Sequence, residues 1–383
     1  MAITAVPALS EIVDAVGAVV DETVAPAAAE VDRTGAYPRT DVEALAAAGA
    51  LSLLSAPEVG GAGGTLADVA AVLERIARAD ASTAMVVLMH YAATSVIEPH
   101  GPEEVRREIA AGRHLSTLAF SERGSRSHFW APVSSAAAVD DGVRLDAAKS
   151  WVTSAGEADS YVWSSRPVSA EGPMTLWLVP GATPGIAVAG TFDGFGLRGN
   201  GSSPMTADGA VVPASARLAD DGAGLDVALG SALPTFLVGN AAVSLGLMEA
   251  LVEEAAGHLT ASRLEHLGQS LAEQAPTRLA FAALRTRVDT TRAFLADTLA
   301  ALGSGRADAT LRVLQVKAVA AEAAADVADG VMRLCGGAAF RKELGIERRY
   351  RDAVAARVMA PTTDALHDFV GRATLGLPLF GGA

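Results

Sequence analysis

The chain has 383 residues, 50% of them apolar and 19% charged, with a formal net charge of -14 at neutral pH. That length exceeds one compact core and predicts two or three packed subdomains, with disorder confined to the ends. The acidic balance argues against a nucleic-acid or anionic-membrane surface. The single cysteine, Cys335, excludes an intrachain disulfide and a cysteine metal cluster, and no metal site is read.

From about residue 7 to 113 the pattern is helical, broken at Pro38, Pro57 and the glycine cluster at 60–64. Thr40 stands where an N-cap is expected before Asp41–Leu45. Between Leu66 and Arg78, Val69, Val72, Leu73, Ile76 and Ala77 share one helical face. A second apolar helix starts at Asp80 and runs through His90. The N-terminus lacks a basic start, so no signal peptide is read. The run from Thr83 to Ile97 falls short of the roughly 18 residues that a membrane span needs. A soluble, cytoplasmic protein is expected.

Near Ser116 the texture changes to short β-rich runs at 133–139, 143–145, 161–163 and 176–179, separated by Asp140-Asp141-Gly142 and Pro/Gly punctuation. Strand-like sequence continues to about residue 222. Long helices return over roughly 227–262, 271–302 and 307–334, then 362–374 after an irregular segment. The first of these is apolar enough to lie inside a bundle. The boundaries read as 1–115 helical, 116–225 β and 226–383 helical.

Several motifs fall in order along this frame. Ala56-Pro57-Glu58-Val59-Gly60-Gly61-Ala62-Gly63 is a glycine-rich loop, and Glu74-Arg75-Ile76-Ala77-Arg78-Ala79-Asp80-Ala81-Ser82 joins two helices. Phe120-Ser121-Glu122-Arg123-Gly124-Ser125-Arg126-Ser127-His128 leads out of a strand. Lys149-Ser150-Trp151-Val152-Thr153 follows on another, and Gly196-Leu197-Arg198-Gly199 on a later turn. The C-terminal part holds Glu347-Arg348-Arg349-Tyr350-Arg351-Asp352-Ala353 and Met359-Ala360-Pro361-Thr362-Thr363-Asp364. Together they resemble the acyl-CoA dehydrogenase family. The resemblance implies an α+β fold: an N-terminal helical domain, a middle β-barrel or sandwich, and a C-terminal four-helix bundle.

The resemblance also implies FAD and an acyl thioester substrate, carried on coenzyme A or a carrier protein, or a related small molecule. Phe120, Ser121, Trp151 and Thr153 would face the flavin, although Trp151 also reads as a sheet-core aromatic. Arg263, Gln274, Arg333, Gly336, Gly337, Thr362 and Asp364 match the remaining cofactor segments. There, Arg263 has one extra residue before its glycine, and Arg333 stands where the family has glutamine. Arg333 either approaches a phosphate or is a solvated helix-end cation. Ser127, His90 and Ala360 would border the substrate. A homotetramer or dimer, or a hetero-oligomer with a paralogue, is expected because the family's flavin site spans subunits.

Three departures stand out. Ala360 occupies the position of the glutamate that removes the substrate's α-proton, a group worth about 10²–10⁴ in rate. Phe236 fills the alternative base position on the first long C-terminal helix. In the loop, Arg123, Arg126 and His128 replace proline, glycine and aspartate. His128, with an ordinary pKa near 6.5, is the candidate for a relocated catalytic base. Tyr91, Glu122 and His367 are further titratable candidates. Three functions stay open: an FAD-dependent oxidoreductase with a relocated base or none, a flavin-dependent monooxygenase of the same fold, and a non-catalytic partner subunit of a hetero-oligomer.

Overall fold

A computed structural model describes residues 9–125 and 128–380. Arg126 and Ser127 of the motif loop lie outside the described residues. The first third is helical: α1 (Leu9–Val19), α2 (Ala25–Thr34), α3 (Arg39–Ala47), α4 (Leu66–Ala79), α5 (Ala81–His100) and α6 (Glu103–Ala110). Pro38 sits at the N-cap of α3, so Thr40 lies inside the helix and caps nothing. Thr65 caps α4, where its N–H and hydroxyl both donate to Asp68 at 2.7 Å. The face carrying Val69, Val72, Leu73, Ile76 and Ala77 is buried, as its spacing predicts. Asp80 caps α5 by accepting from the Thr83 N–H at 2.8 Å.

The middle third carries β1 (Ser116–Ala119), β2 (Ser135–Val139), β3 (Gly142–Val152), β4 (Ser160–Ser165), β5 (Thr175–Pro180), β6 (Ile186–Val188), β7 (Ser203–Val212) and β8 (Arg217–Leu218). They form two four-stranded sheets, ordered β1-β4-β5-β8 and β2-β3-β7-β6. Neither sheet closes on itself or on the other, so the region is no barrel. The edge strands β6 and β8 are three and two residues long, too short to carry a ladder around.

The last third begins with α7 (Gly224–Val227), which runs through a π-turn into α8 (Leu233–Ala261). A hairpin of β9 (Arg263–Leu264) and β10 (Gln269–Ser270) follows. Then come α9 (Ala275–Ser304), α10 (Ala309–Cys335), α11 (Ile346–Ala353), α12 (Ala355–Val358) and α13 (Thr363–Thr374). The segment before residue 362 thus contains two short helices where the sequence predicts none. The stretch Gly224–Ala261 is long and apolar enough to cross a membrane by length and composition, but 94% of its most apolar window is buried inside the fold. It packs against α4, α5, α9 and α10. A glycine is needed where α8 crosses α4: a Cβ at Gly246 would stand 2.4 Å from the Glu74 carbonyl oxygen.

Candidate functional site

A cleft of about 1070 Å³ opens where the end of β1, the end of β3, the 192–204 loop and the 351–360 segment meet. Beside it lies a small apolar chamber of about 80 Å³, walled by Leu118, Phe120, Phe129, Ala232, Leu233 and Pro361 among others. Met89, Ser121, Trp151, Phe236 and Ala360 line both spaces. The structure therefore gathers Phe120, Ser121, Trp151, Thr153 and Ala360 around one cavity system, from segments up to 240 residues apart in sequence.

Trp151 reaches the cleft because β3 breaks register with β7 between Lys149 and Val152. Its backbone is left-handed, with φ 57°, a conformation uncommon for a non-glycine residue. A bulge of this kind re-aims a side chain, and the indole is left 69% exposed. It is therefore no sheet-core aromatic. Phe192 packs edge-on to it, with ring centres 6.5 Å apart. Thr153 is buried, its hydroxyl 3.0 Å from that of Ser202. The result is an exposed indole face bordered by hydroxyls, a chemistry that fits a planar flavin ring.

Two buried lysines brace this cavity. Lys149 donates to Glu122 at 2.5 Å, to the Ser164 carbonyl at 2.7 Å and to the Ser164 hydroxyl at 2.9 Å. Glu122 also accepts from the N–H groups of Val133 (2.5 Å) and Ser134 (3.0 Å) and from the Ser134 hydroxyl. Burial pulls the Lys149 pKa down to about 8 against the attraction of Glu122. Burial works to raise the Glu122 pKa, but Lys149 and these donors outweigh it and hold the carboxyl below its ordinary value. Both members are charged at neutral pH, and Glu122 has no lone pair to spare for a substrate proton.

Lys317, on α10, is fully buried and donates to the carbonyls of Ala356 (2.8 Å), Met359 (2.9 Å) and Pro361 (2.7 Å). Three acceptors match the three N–H groups of an ammonium, and a neutral amine would leave one unmet. Burial lowers its pKa to about 7. It fixes the turn carrying Ala360. The sequence signal was a lone cation among Val313, Leu314, Val316, Ala320 and Ala321, on a face otherwise apolar. Sequence reasoning missed it, along with the cavity-lining Met89, Phe129 and Phe192.

The chamber wall contains no ionisable side chain. Ala360 and Phe236 lie on it together, and both are apolar. His128 does not replace them. It is exposed and absent from the lining of either space, with its Nδ1 2.8 Å from the Ser125 carbonyl oxygen and its ring edge-on to Trp130.

His90 is likewise no substrate contact. It is fully buried, its Nε2 2.9 Å from the Leu51 carbonyl oxygen and its Nδ1 accepting from the Ser116 N–H at 3.1 Å. Burial pushes its pKa down to about 4, so it is neutral and structural. Tyr91 is buried and donates to the Ala50 carbonyl at 2.7 Å.

The remaining cofactor candidates lie outside this chain's cleft. Arg263 is exposed and donates to the Gly268 carbonyl at 2.6 Å. Gln274 donates to Gln269 at 2.7 Å, and Arg333 pairs with Asp329 at 3.2 Å. Gly336 and Gly337 are exposed just past α10, Thr362 caps α13, and Asp364 is exposed in its first turn. His367 is exposed on the same helix.

Sequence models of three domains match almost the whole chain. They are described as acyl-CoA dehydrogenase N-terminal domain (residues 7–112), middle domain (117–210) and C-terminal domain (222–375). The mitochondrial short-chain specific acyl-CoA dehydrogenase of Bos taurus is 26% identical over 360 residues, covering 88% of this chain and 83% of that protein. Cyclohex-1-ene-1-carbonyl-CoA dehydrogenase of Geobacter metallireducens is 26% identical over 370 residues, covering 94% and 96%. Among solved structures, butyryl-CoA dehydrogenase from Megasphaera elsdenii superposes with a TM-score of 0.89 at 20% identity, covering 96% of this chain and 98% of that one. PigA with FAD and proline gives 0.89 at 18% identity, covering 96% and 97%.

Proposed function

The chain belongs to the acyl-CoA dehydrogenase family of FAD-dependent oxidoreductases, and from that premise we propose that it binds FAD and oxidises a short acyl thioester or related small molecule without a side-chain base. One observation carries the reading. The exposed Trp151 indole and the turn of Ala360 line a single apolar chamber that lacks any ionisable side chain.

FAD, when bound, supplies a two-electron acceptor. Trp151 offers its ring as a packing face, and Thr153, its hydroxyl tied to Ser202, lines the same cleft. The Lys149–Glu122 pair holds the backbone of Ser121 and Arg123 against β3, through Arg123 N–H to the Ala148 carbonyl and Ser150 N–H to the Ser121 carbonyl. The chamber takes the apolar end of the substrate, excludes water from it and limits its length. A proton released from a bound substrate finds no ionisable side chain on the chamber wall and passes to water through the adjoining cleft. The site therefore suits a substrate whose oxidation needs no carboxylate near position 360.

Oxygen transfer is the second reading, favoured by the same wall, because it too proceeds without removal of an α-proton. The exposure of Arg263, Arg333, Gly336 and Gly337 outside this chain's own cleft supports a dimer or tetramer in which they serve a neighbouring subunit's cofactor. The decisive measurement is the absorbance spectrum of the purified protein, then anaerobic titration with butyryl-CoA. A flavin spectrum is expected, and butyryl-CoA should bleach it only very slowly, because no side chain on the chamber wall takes its α-proton. A protein that neither carries nor takes up FAD would overturn both readings and leave the role of a partner subunit. Turnover that requires oxygen and a flavin reductase would select the oxygenase.

A further inference from the structure

Six charged residues line the cleft, and five of them have partners. Glu122 and Lys149 hold each other; Asp193 pairs with Arg198; Arg351 pairs with Asp32 and Glu347; Arg357 pairs with Glu322. Arg123 is the sixth. Its side chain is exposed and has no hydrogen-bond or ion-pair partner among the described residues. Its backbone, in contrast, is fixed: its N–H donates to the Ala148 carbonyl at 3.0 Å, and the preceding Glu122 is pinned by Lys149. A ligand that engages the guanidinium orders only the side chain, since the main chain is already set.

In a molecule of net charge -14, a lone cation on a cavity wall is a place for an anion. A guanidinium presents paired N–H donors that match the oxygens of a phosphate. The two spaces indicate where that anion lies. Arg123 lines the large cleft and is absent from the small chamber. The ligand is therefore one with a small apolar end and a long polar body bearing the charge.

We propose that Arg123 binds a phosphate group of the ligand that occupies the cleft, and so acts as an anion-recognition residue for the site. Two sources share that chemistry: the pyrophosphate of the flavin dinucleotide, and the phosphates of a coenzyme A thioester. The inference rests on the oxidoreductase reading above only in supposing that one of these enters.

The test is equilibrium binding of three probes to the wild-type protein and to Arg123→Gln: FAD to the apoprotein, then butyryl-CoA and S-butyryl-pantetheine, which has no phosphate, to the FAD-loaded protein. A charge-assisted contact at an exposed site is worth about tenfold in affinity. Arg123→Gln is expected to weaken one phosphate-bearing probe by that factor, more at low than at high salt, and to leave S-butyryl-pantetheine unchanged. Loss on butyryl-CoA assigns the substrate phosphate, and loss on FAD assigns the cofactor's. Unchanged affinity for both phosphate-bearing probes overturns the proposal, as does an equal loss on S-butyryl-pantetheine. If the wild-type protein takes up no FAD, the oxidoreductase reading fails, and Arg123 is judged on butyryl-CoA binding to the apoprotein alone. An unchanged melting temperature identifies any loss as local.

Discussion

Alanine at 360 and phenylalanine at 236 leave the chamber wall without an ionisable side chain. Restoring a carboxylate there, as Ala360→Glu with Pro361→Gly, keeps the position-361 carbonyl that Lys317 holds and frees the backbone that proline constrains. If FAD and an acyl thioester are placed as proposed, the double variant should gain about 10²-fold in dye-coupled dehydrogenation of butyryl-CoA. An unchanged rate would mean that the substrate's α-carbon does not lie over this turn. The Lys149–Glu122 pair gives a second test. Glu122→Gln or Lys149→Met alone strands a buried charge and should lower unfolding free energy by about 3–5 kcal/mol. The double variant should recover part of the loss in urea denaturation. An equal loss in all three would show that packing and not charge pairing matters there. Neither partner's burial nor the three carbonyls around Lys317 were legible from sequence, because both clusters join residues 27 to 44 positions apart. That Trp151, Ser121 and Thr153 belong to one region was legible because they fall within short motifs, and they do line one cleft.

At the scale of elements, regular apolar spacing was readable and polar packing was not. The buried face of α4 follows directly from its sequence. α11 escaped prediction because its only buried apolar residues are Ile346 and Ala353, while Arg348 and Asp352 are also buried. Its contacts are polar and distant: Arg348 donates to the Ala79 carbonyl at 3.4 Å, and Asp352 accepts from the Leu197 N–H at 2.6 Å. Such an element has no apolar stripe to read. Thr40 was misread because a proline two residues earlier already starts the helix. Helix crossing offers a prediction of its own. Gly246→Ala places a methyl against the Glu74 carbonyl and Ala77, and neither can rotate away. It should cost about 1–3 kcal/mol by overpacking. A variant as stable as wild type in urea denaturation would show that α8 and α4 can separate freely.

Across the whole molecule, the helical and β parts meet at a buried group of acids. Asp352 bonds Leu197 on the β side; Asp80 caps α5; Asp41 lies close enough to Asp80 to feel its charge. Burial pushes the Asp352 pKa up to about 7, against the Leu197 hydrogen bond and Arg348 and with the help of Asp80 and Asp32. Burial and Asp80 raise Asp41 to about 6. A carboxyl whose pKa is higher folded than unfolded stabilises the fold fully below about pH 4. It loses that contribution as pH rises to about 7, by at most about 1.4 kcal/mol per pH unit for each proton. Asp352→Asn keeps an acceptor for Leu197 and removes the proton. The melting-temperature advantage of the variant over wild type should therefore grow between pH 5 and pH 8. A constant difference across that range would place the ionisation elsewhere.

The bare wall around Ala360 also has an isotopic consequence. A carboxylate poised over an α-carbon trades that hydrogen with solvent even when no electrons are transferred, because proton removal and return are reversible. A chamber without such a group leaves the hydrogen where it is. Butyryl-CoA held by this protein in deuterium oxide should keep its α-protons in the NMR spectrum over hours. Their washout would reveal a proton acceptor reaching the chamber from outside its lining.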